Sequence, residues 1–186
     1  MTDLKIIQDE LSNLQPGWII LLETEPNLAL EVSLKALKLL TEKGYVGIII
    51  SASRPYVNLM AQYRNVKMDE SKIFVLDVIT KSQGGTPAES ANVLYLDNVA
   101  ALTEISISMK KAIELIIGNK FVFIDSINTM LIHTPPEVFL RFIHSILTKL
   151  RLEGINGFLI SIVGETKDDV RAEIAQLCDK VIRVGA

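Results

Sequence analysis

A chain with one cysteine cannot close an internal disulfide, and Cys178 is the single cysteine here. That suits a reducing cytoplasm, with Cys178 as a small buried apolar residue. Long apolar runs are also missing. The longest are about six residues, far short of the roughly 20 a membrane helix needs. The chain opens with Asp3, Lys5, Asp9 and Glu10 at helical spacing, so no signal peptide is expected. There is no excess of positive charge. The net charge is −3 and the lysines are scattered, which argues against a nucleic-acid or anionic-membrane partner. No long polar tract is present, and 49% of residues are apolar, so a folded core is expected rather than disorder.

What is there alternates between helical and strand-like periods from end to end. Residues 3–14 place Leu4, Ile7, Leu11 and Leu14 on one helical face, giving an N-terminal helix within 1–16. A strand over 18–23, a helix over 27–43 closed by Gly44, and a strand over 45–52 follow. Pro55 opens a short helix to Tyr63, and 73–77 is a third strand. Thr80 to Ala91 reads as a flexible loop, with a short extended piece at 93–96. A helix over 99–117, a strand over 120–125, a helix from Pro135-Pro136 to Leu152, a strand over 156–163, a helix over 166–177 and a strand over 180–184 complete the order. Met130–Pro136, with His133, reads as a stiff loop within the 128–136 connection, and His144 lies on the long helix. Neither histidine has a paired nucleophile or metal-type spacing. No G-x-S-x-G elbow is present either.

Strands separated by helices of this length imply right-handed βαβ units, hence an α/β fold: a mostly parallel sheet between two helical layers, in one domain over 1–186. Ligands of such sheets bind beyond the strands' carboxyl ends. Those ends are Glu23, Ser51 to Ser53, Asp77, Asp125-Ser126 and Gly164-Glu165.

The strand, turn and helix spanning 17–43 form the setting for a phosphate-gripping loop, yet the loop's chemistry is missing. G-x-x-x-x-G-K-[ST] supplies glycines for backbone wrapping, a lysine for the β/γ-phosphates and a hydroxyl for Mg²⁺. The corresponding positions hold Thr24, Ala29, Leu30 and Glu31. Glu23, Glu25 and Glu31 would surround a bound triphosphate, and two unit charges 4 Å apart repel by about 4 kcal/mol at an effective dielectric near 20. Without a ligand, acids at a helix start simply favour the macrodipole.

Phe121-Val122-Phe123-Ile124-Asp125-Ser126 runs apolar residues into a strand-end aspartate. In nucleotide hydrolases this aspartate holds the Mg²⁺ water shell, although such a residue is equally an ordinary cap or turn former. In layout the chain resembles the RecA-like ATPases, especially the KaiC-like branch of archaea and bacteria. The resemblance rests on the element order, Leu21–Glu31 at the P-loop position, Gly47–Pro55 at the next strand end, and Phe121–Ser126 as a Walker-B-like strand. It implies a sheet ordered 73–77, 45–52, 120–125, 157–163, 18–23, 180–184, and side-by-side association with itself or with an active relative. It also implies one or two catalytic glutamates after the second strand, where this chain has Ser51-Ala52-Ser53-Arg54. No catalytic residue and no cofactor is assigned.

The expectation is therefore a non-catalytic RecA-like module for regulation or assembly. The alternatives are a crevice rebuilt for another ligand, with Ser53, Arg54, Asp77, Asp125 and Ser126 as polar anchors, or residual nucleotide binding. Arg54 is expected to bind an anion or to pair with a nearby acid. Glu23, Asp77, Asp125 and Glu165 have oxygens suited to a hard cation, Asp125 being the candidate ligand, but no spacing motif supports such a site and no metal is assigned. DNA binding is disfavoured, because Asn128–Pro136 lacks Lys and Arg, and Gly164–Asp169 sets one Lys against three acids.

Overall fold

The computed structural model describes residues 3–185; the Asp3 and Leu4 side chains, the latter assigned above to the inner helical face, lie outside the described part. Seven parallel strands form one sheet: β1 (Ile19–Thr24), β2 (Val46–Ser51), β3 (Ile73–Asp77), β4 (Val93–Tyr95), β5 (Lys120–Asp125), β6 (Asn156–Ile162) and β7 (Lys180–Val184). Their spatial order is β4-β3-β2-β5-β6-β1-β7. This is the expected order, with the short 93–95 piece added as an edge strand beside β3.

The strand interiors are almost wholly buried because helices cover both faces, which is why they read as continuous apolar runs. One face packs α1 (Asp3–Ser12), α2 (Ala29–Glu42) and α3 (Tyr56–Asn65) over Ile20, Leu22, Ile49, Phe121, Phe123 and Phe158. The Phe158 ring meets Phe121 edge-on at 5.7 Å and stacks on Phe123 at 6.3 Å. The other face carries α4 (Leu102–Leu115), α5 (Ile127–His133), α6 (Pro136–Leu152) and α7 (Asp168–Gln176) over Leu21, Ile50, Val122 and Leu159. Each buried Leu, Ile, Val or Phe contributes roughly 1.5–3 kcal/mol.

Helix α5 corrects the expected 128–136 loop. Ser126 caps it, its hydroxyl accepting from the Thr129 amide, and Ile127 and Met130 enter the core. Seven residues give too few helical turns for a clear period, so the pattern passed for a loop. The 80–91 tract has no helix or strand, but it is tied to the body. The Ala88 amide donates to the Tyr95 hydroxyl at 3.0 Å, and Ser90 Oγ bonds the Tyr56 hydroxyl at 2.8 Å.

The scattered cations have a shared use. Lys43 Nζ donates to Leu11 O, Lys72 to Thr41 O, Lys38 to Val66 O, Lys120 to Ile113 O and Arg151 to Leu177 O. Each caps carbonyls at the end of α1, α2, α3, α4 or α7, where the helix dipole is negative. Cations used in this way are spread across the fold and form no patch. Among the described residues, no helix is long and apolar enough to cross a membrane.

Candidate functional site

The carboxyl ends of β1, β6, β5, β2 and β3 lie side by side, and the β1–α2 turn stands over them. Strand β1 ends at Thr24 and α2 begins at Ala29, so residues 25–28 make the whole connection. That equals the four-residue spacer of G-x-x-x-x-G-K-[ST], and it places Leu30 and Glu31 in the first turn of α2. The connection is a tight turn in which the Leu28 amide donates to Glu25 O at 3.0 Å. One amide is thereby consumed internally, and Pro26 has none to offer. The turn rests on Gly185, which has φ +87°; a Cβ there would lie 2.6 Å from Leu28 Cδ1 and 3.1 Å from Glu25 Cγ. Glu31 is exposed and no side chain caps the helix.

Of the three acids expected around a triphosphate, Glu23 is elsewhere. It points to the opposite face of the sheet, toward α7, and is only 2% exposed. Arg183 Nε donates to Oε2 at 2.8 Å, and Arg171 Nη1 donates to Oε1. Burial pushes the Glu23 carboxyl up, but the two arginines outweigh it and hold the group below its ordinary value. Strict alternation along β1 puts Glu23 on the side of Leu21 and Thr24 on that of Leu22.

Asp125 faces the α2–α3 side at the end of β5. Its carbonyl accepts from the Ala52 and Ser53 amides at 2.7 and 3.2 Å, which folds the Ser51–Arg54 segment over it. Arg54 Nη1 lies 3.6 Å from Asp125 Oδ2, so the two groups form an internal ion pair. Ser51 Oγ donates to Arg54 O at 2.6 Å and steadies the segment. Burial raises the Asp125 carboxyl above its ordinary value, and Arg54 and the Ser53 hydroxyl only partly oppose this. Ser53 Oγ is buried beside Asp125, close enough to favour its charge but without a hydrogen bond of good geometry. Tyr63, fully buried on α3, is pushed up by burial and by the charge on Asp125. The Asp125–Ser126 peptide is cis.

Asp77 and Ser126 are not anchors in the crevice. Asp77 accepts from the amides of Tyr56, Ile79 and Thr80 and from Thr80 Oγ1, at 2.6–2.9 Å, so its lone pairs are spent joining α3 to the loop after β3. Ser126 is spent capping α5. Nor do the strand-end carboxylates converge. Glu23, Asp77 and Asp125 each have separate partners, and no group of three metal-type ligands occurs among the described residues. A shared cation site gains no support: Glu23 faces the other side of the sheet, and Asp77 and Asp125, though on one face, are held by different partners. His133 and His144 are both exposed.

Sequence reasoning missed Asn128. Its Oδ1 accepts from the Ile162 amide at 2.8 Å, and its Nδ2 donates to Thr166 Oγ1 at 2.7 Å. That clamp fixes the end of β6 and the loop beyond it, beside the crevice. The only sequence signal was an Asn three residues past the strand-end aspartate.

The strand order, with β6 between β1 and the aspartate-ended β5, agrees with what the chain matches. Residues 36–186 match the family described as "ATPase: KaiC". The chain belongs to the KaiC ATPase family. Solved structures repeat the fold. A flagellar accessory protein, FlaH, from Methanocaldococcus jannaschii is 13% identical, with 98% of this chain and 77% of that one covered at a TM-score of 0.65. An uncharacterised protein of Pyrococcus horikoshii, solved with an unknown peptide, is 14% identical over 96% and 82% of the two chains, with a TM-score of 0.67. A KaiC-like protein from Pyrococcus horikoshii OT3 is 17% identical over 90% and 71%, with a TM-score of 0.61. Among the curated proteins, none matches in sequence. This KaiC-family chain therefore shares the scaffold of those neighbours at low sequence identity.

Proposed function

We propose that this chain is a KaiC-family module that works without hydrolysing ATP, in regulation or in assembly with a protein partner. One observation carries the reading: the first turn of α2 presents Leu30 and Glu31 where the fold's chemistry calls for a lysine and a hydroxyl. Losing that lysine removes a favourable interaction of several kcal/mol with the phosphates, and a helix N-terminus offers only about half a positive charge in its place. The turn before it has no glycine, and Pro26 contributes no amide. The family match covers 36–186 and so begins beyond Thr24–Glu31. After β2, Ser51-Ala52-Ser53-Arg54 brings no carboxylate to polarise water, and Arg54 lies against Asp125, where a Mg²⁺ shell would otherwise form.

The neutralised Glu23 makes the site less acidic than the sequence suggests, so the reading rests on the missing lysine and glycines more than on repulsion. The occurrence of the same fold in a flagellar accessory protein supports an assembly reading by analogy of scaffold alone. Purified protein is expected to show neither MgATP turnover nor a rise in melting temperature with MgATP. Turnover abolished by Asp125→Ala would overturn the proposal.

A second reading draws on Ser53, Arg54 and Asp125, whose buried hydroxyl, guanidinium and carboxyl form a polar corner suited to a ligand other than ATP. A thermal-shift screen of small metabolites separates the two, since a ligand at 100 times its Kd adds about 2.7 kcal/mol.

A further inference from the structure

We propose that the open edge of the sheet at β4 pairs with the same edge of a second copy of this chain, antiparallel, about a two-fold axis at Leu94. Such a dimer gives the assembly reading a partner and a surface but does not depend on it. MgATP turnover would end that reading and leave the edge as it is.

Strand β4 spends the backbone of its even-numbered residues on β3. The Val75 amide donates to Asn92 O and the Leu96 amide to Asp77 O, each at 2.9 Å, and Leu94 stands opposite Leu76. The amides and carbonyls of Val93 and Tyr95 therefore point outward, and among the described residues they have no hydrogen-bond partner. Such an edge is a template for another strand. The far edge, β7, carries Lys180 and Arg183, the kind of charged side chain that discourages pairing, whereas β4 reads Val-Leu-Tyr. An antiparallel copy centred on Leu94 sets Val93 opposite Tyr95 of the second copy, and each such pair exchanges both N–H···O bonds. Leu94 then meets its own equivalent at the axis, where side chains come closest. That register brings Asn92 opposite Leu96 and Ala91 opposite Asp97, so no like charges meet.

Beside this edge, a groove of about 760 Å³ runs between β4 and α4. Leu94, Ile107 and Val138 line it and are 40%, 51% and 38% exposed, so its own walls present apolar surface to solvent. The charges in the groove select a second copy as the occupant. Glu104 and Lys111 line it two helical turns apart on α4, one on each side of Ile107 and Ser108, which line it too. Neither is used within the chain: the nearby ion pairs join Lys81 to Asp97 and Lys110 to Glu114. Helix α4 connects the parallel strands β4 and β5 and so runs back along the sheet. The two-fold lays both copies of α4 antiparallel on one face, with Glu104 of each toward Lys111 of the other. The patch is thus its own electrostatic complement. A purely basic or purely acidic segment of another protein would satisfy one of these charges and oppose the other.

The test applies sedimentation equilibrium and amide hydrogen exchange to the full chain over a range of concentrations. The chain is expected to dimerise, and the Val93 and Tyr95 amides to exchange more slowly as concentration rises. Leu94→Lys sets two ammonium groups against each other at the axis and should leave a folded monomer. Glu104→Lys alone and Lys111→Glu alone should each weaken association about tenfold, because each makes two like-charge contacts across the axis. Mixing these two variants in equal amounts should restore it, since each then supplies the charges that the other lacks. A surface merely damaged by substitution would not recover on mixing. Monomer at every concentration, a dimer that Leu94→Lys leaves intact, a mixture no tighter than its components, or growth past the dimer through β7 would each overturn the proposal.

Discussion

Glu23 and Arg183 stand directly opposite each other on β1 and β7, and Arg183 Nε donates to the buried carboxylate at 2.8 Å. Arg171 from α7 holds the other oxygen. Removing both arginines leaves an unpaired buried charge, and Arg171→Ala with Arg183→Ala is expected to cost about 2–4 kcal/mol, toward the lower end because both arginines reach water. The pH dependence follows from the lowered Glu23 carboxyl. Its contribution is complete above the ordinary value of 4.5 and is lost as pH falls through the lower folded value. Urea melts of the wild type and of Glu23→Gln, run from neutral pH into the acid range, should converge at the acid end.

Asp125 has the opposite sign. Its folded carboxyl titrates above the ordinary 3.8, so the folded state binds the proton more tightly than the unfolded chain. The associated stability is complete below 3.8 and is lost as pH rises through the raised value. Asp125→Asn should therefore raise the melting temperature at neutral pH and flatten its pH dependence, Arg54 turning to solvent. A lower melting temperature at pH 7 would show that the Arg54 pair outweighs burial.

Asn128→Ala removes both arms of the clamp on β6. The Ile162 amide loses its partner beside the buried strand end, at an expected cost of about 1–3 kcal/mol. Hydrogen exchange should quicken at Ile162 while Ile160, paired within the sheet, stays protected. Unchanged exchange at Ile162 would mean that water replaces the clamp.

Lys67 follows the C-cap of α3 with φ 54°, a left-handed conformation that penalises a side chain. The Met68 amide donates to Tyr63 O at 3.0 Å, closing the helix as a glycine-type cap would. Lys67→Gly should stabilise by about 0.5–1 kcal/mol, read as a higher urea midpoint with unchanged slope.

Legibility in the sequence followed the range of the interaction. The 73–77, 120–125 and 180–184 strands matched residue for residue, because buried parallel strands write themselves as short apolar runs. Helix α5 did not, since 127–133 is too short to show a period. The cysteine needed its neighbours too: Cys178 is half-buried, donates to Ile174 O at 3.2 Å, and has its thiol pushed up to about 12 by burial, so it is an unreactive thiol. At the crevice the order of residues was readable, and Leu30 and Glu31 lie in the first turn of α2 as the spacing requires. Which polar groups remain free there was not.

By itself, the sequence determined the architecture: hydrophobic period and βαβ spacing act within some thirty residues and leave few topologies open. Only the tertiary structure decided what each charge is for. Glu23 meets partners 148 and 160 positions away, and Asp77 holds an amide 21 positions back. The alternation of a strand sends neighbouring residues to opposite faces, so whether a carboxylate meets a ligand, a guanidinium or a backbone amide is settled only when the sheet assembles.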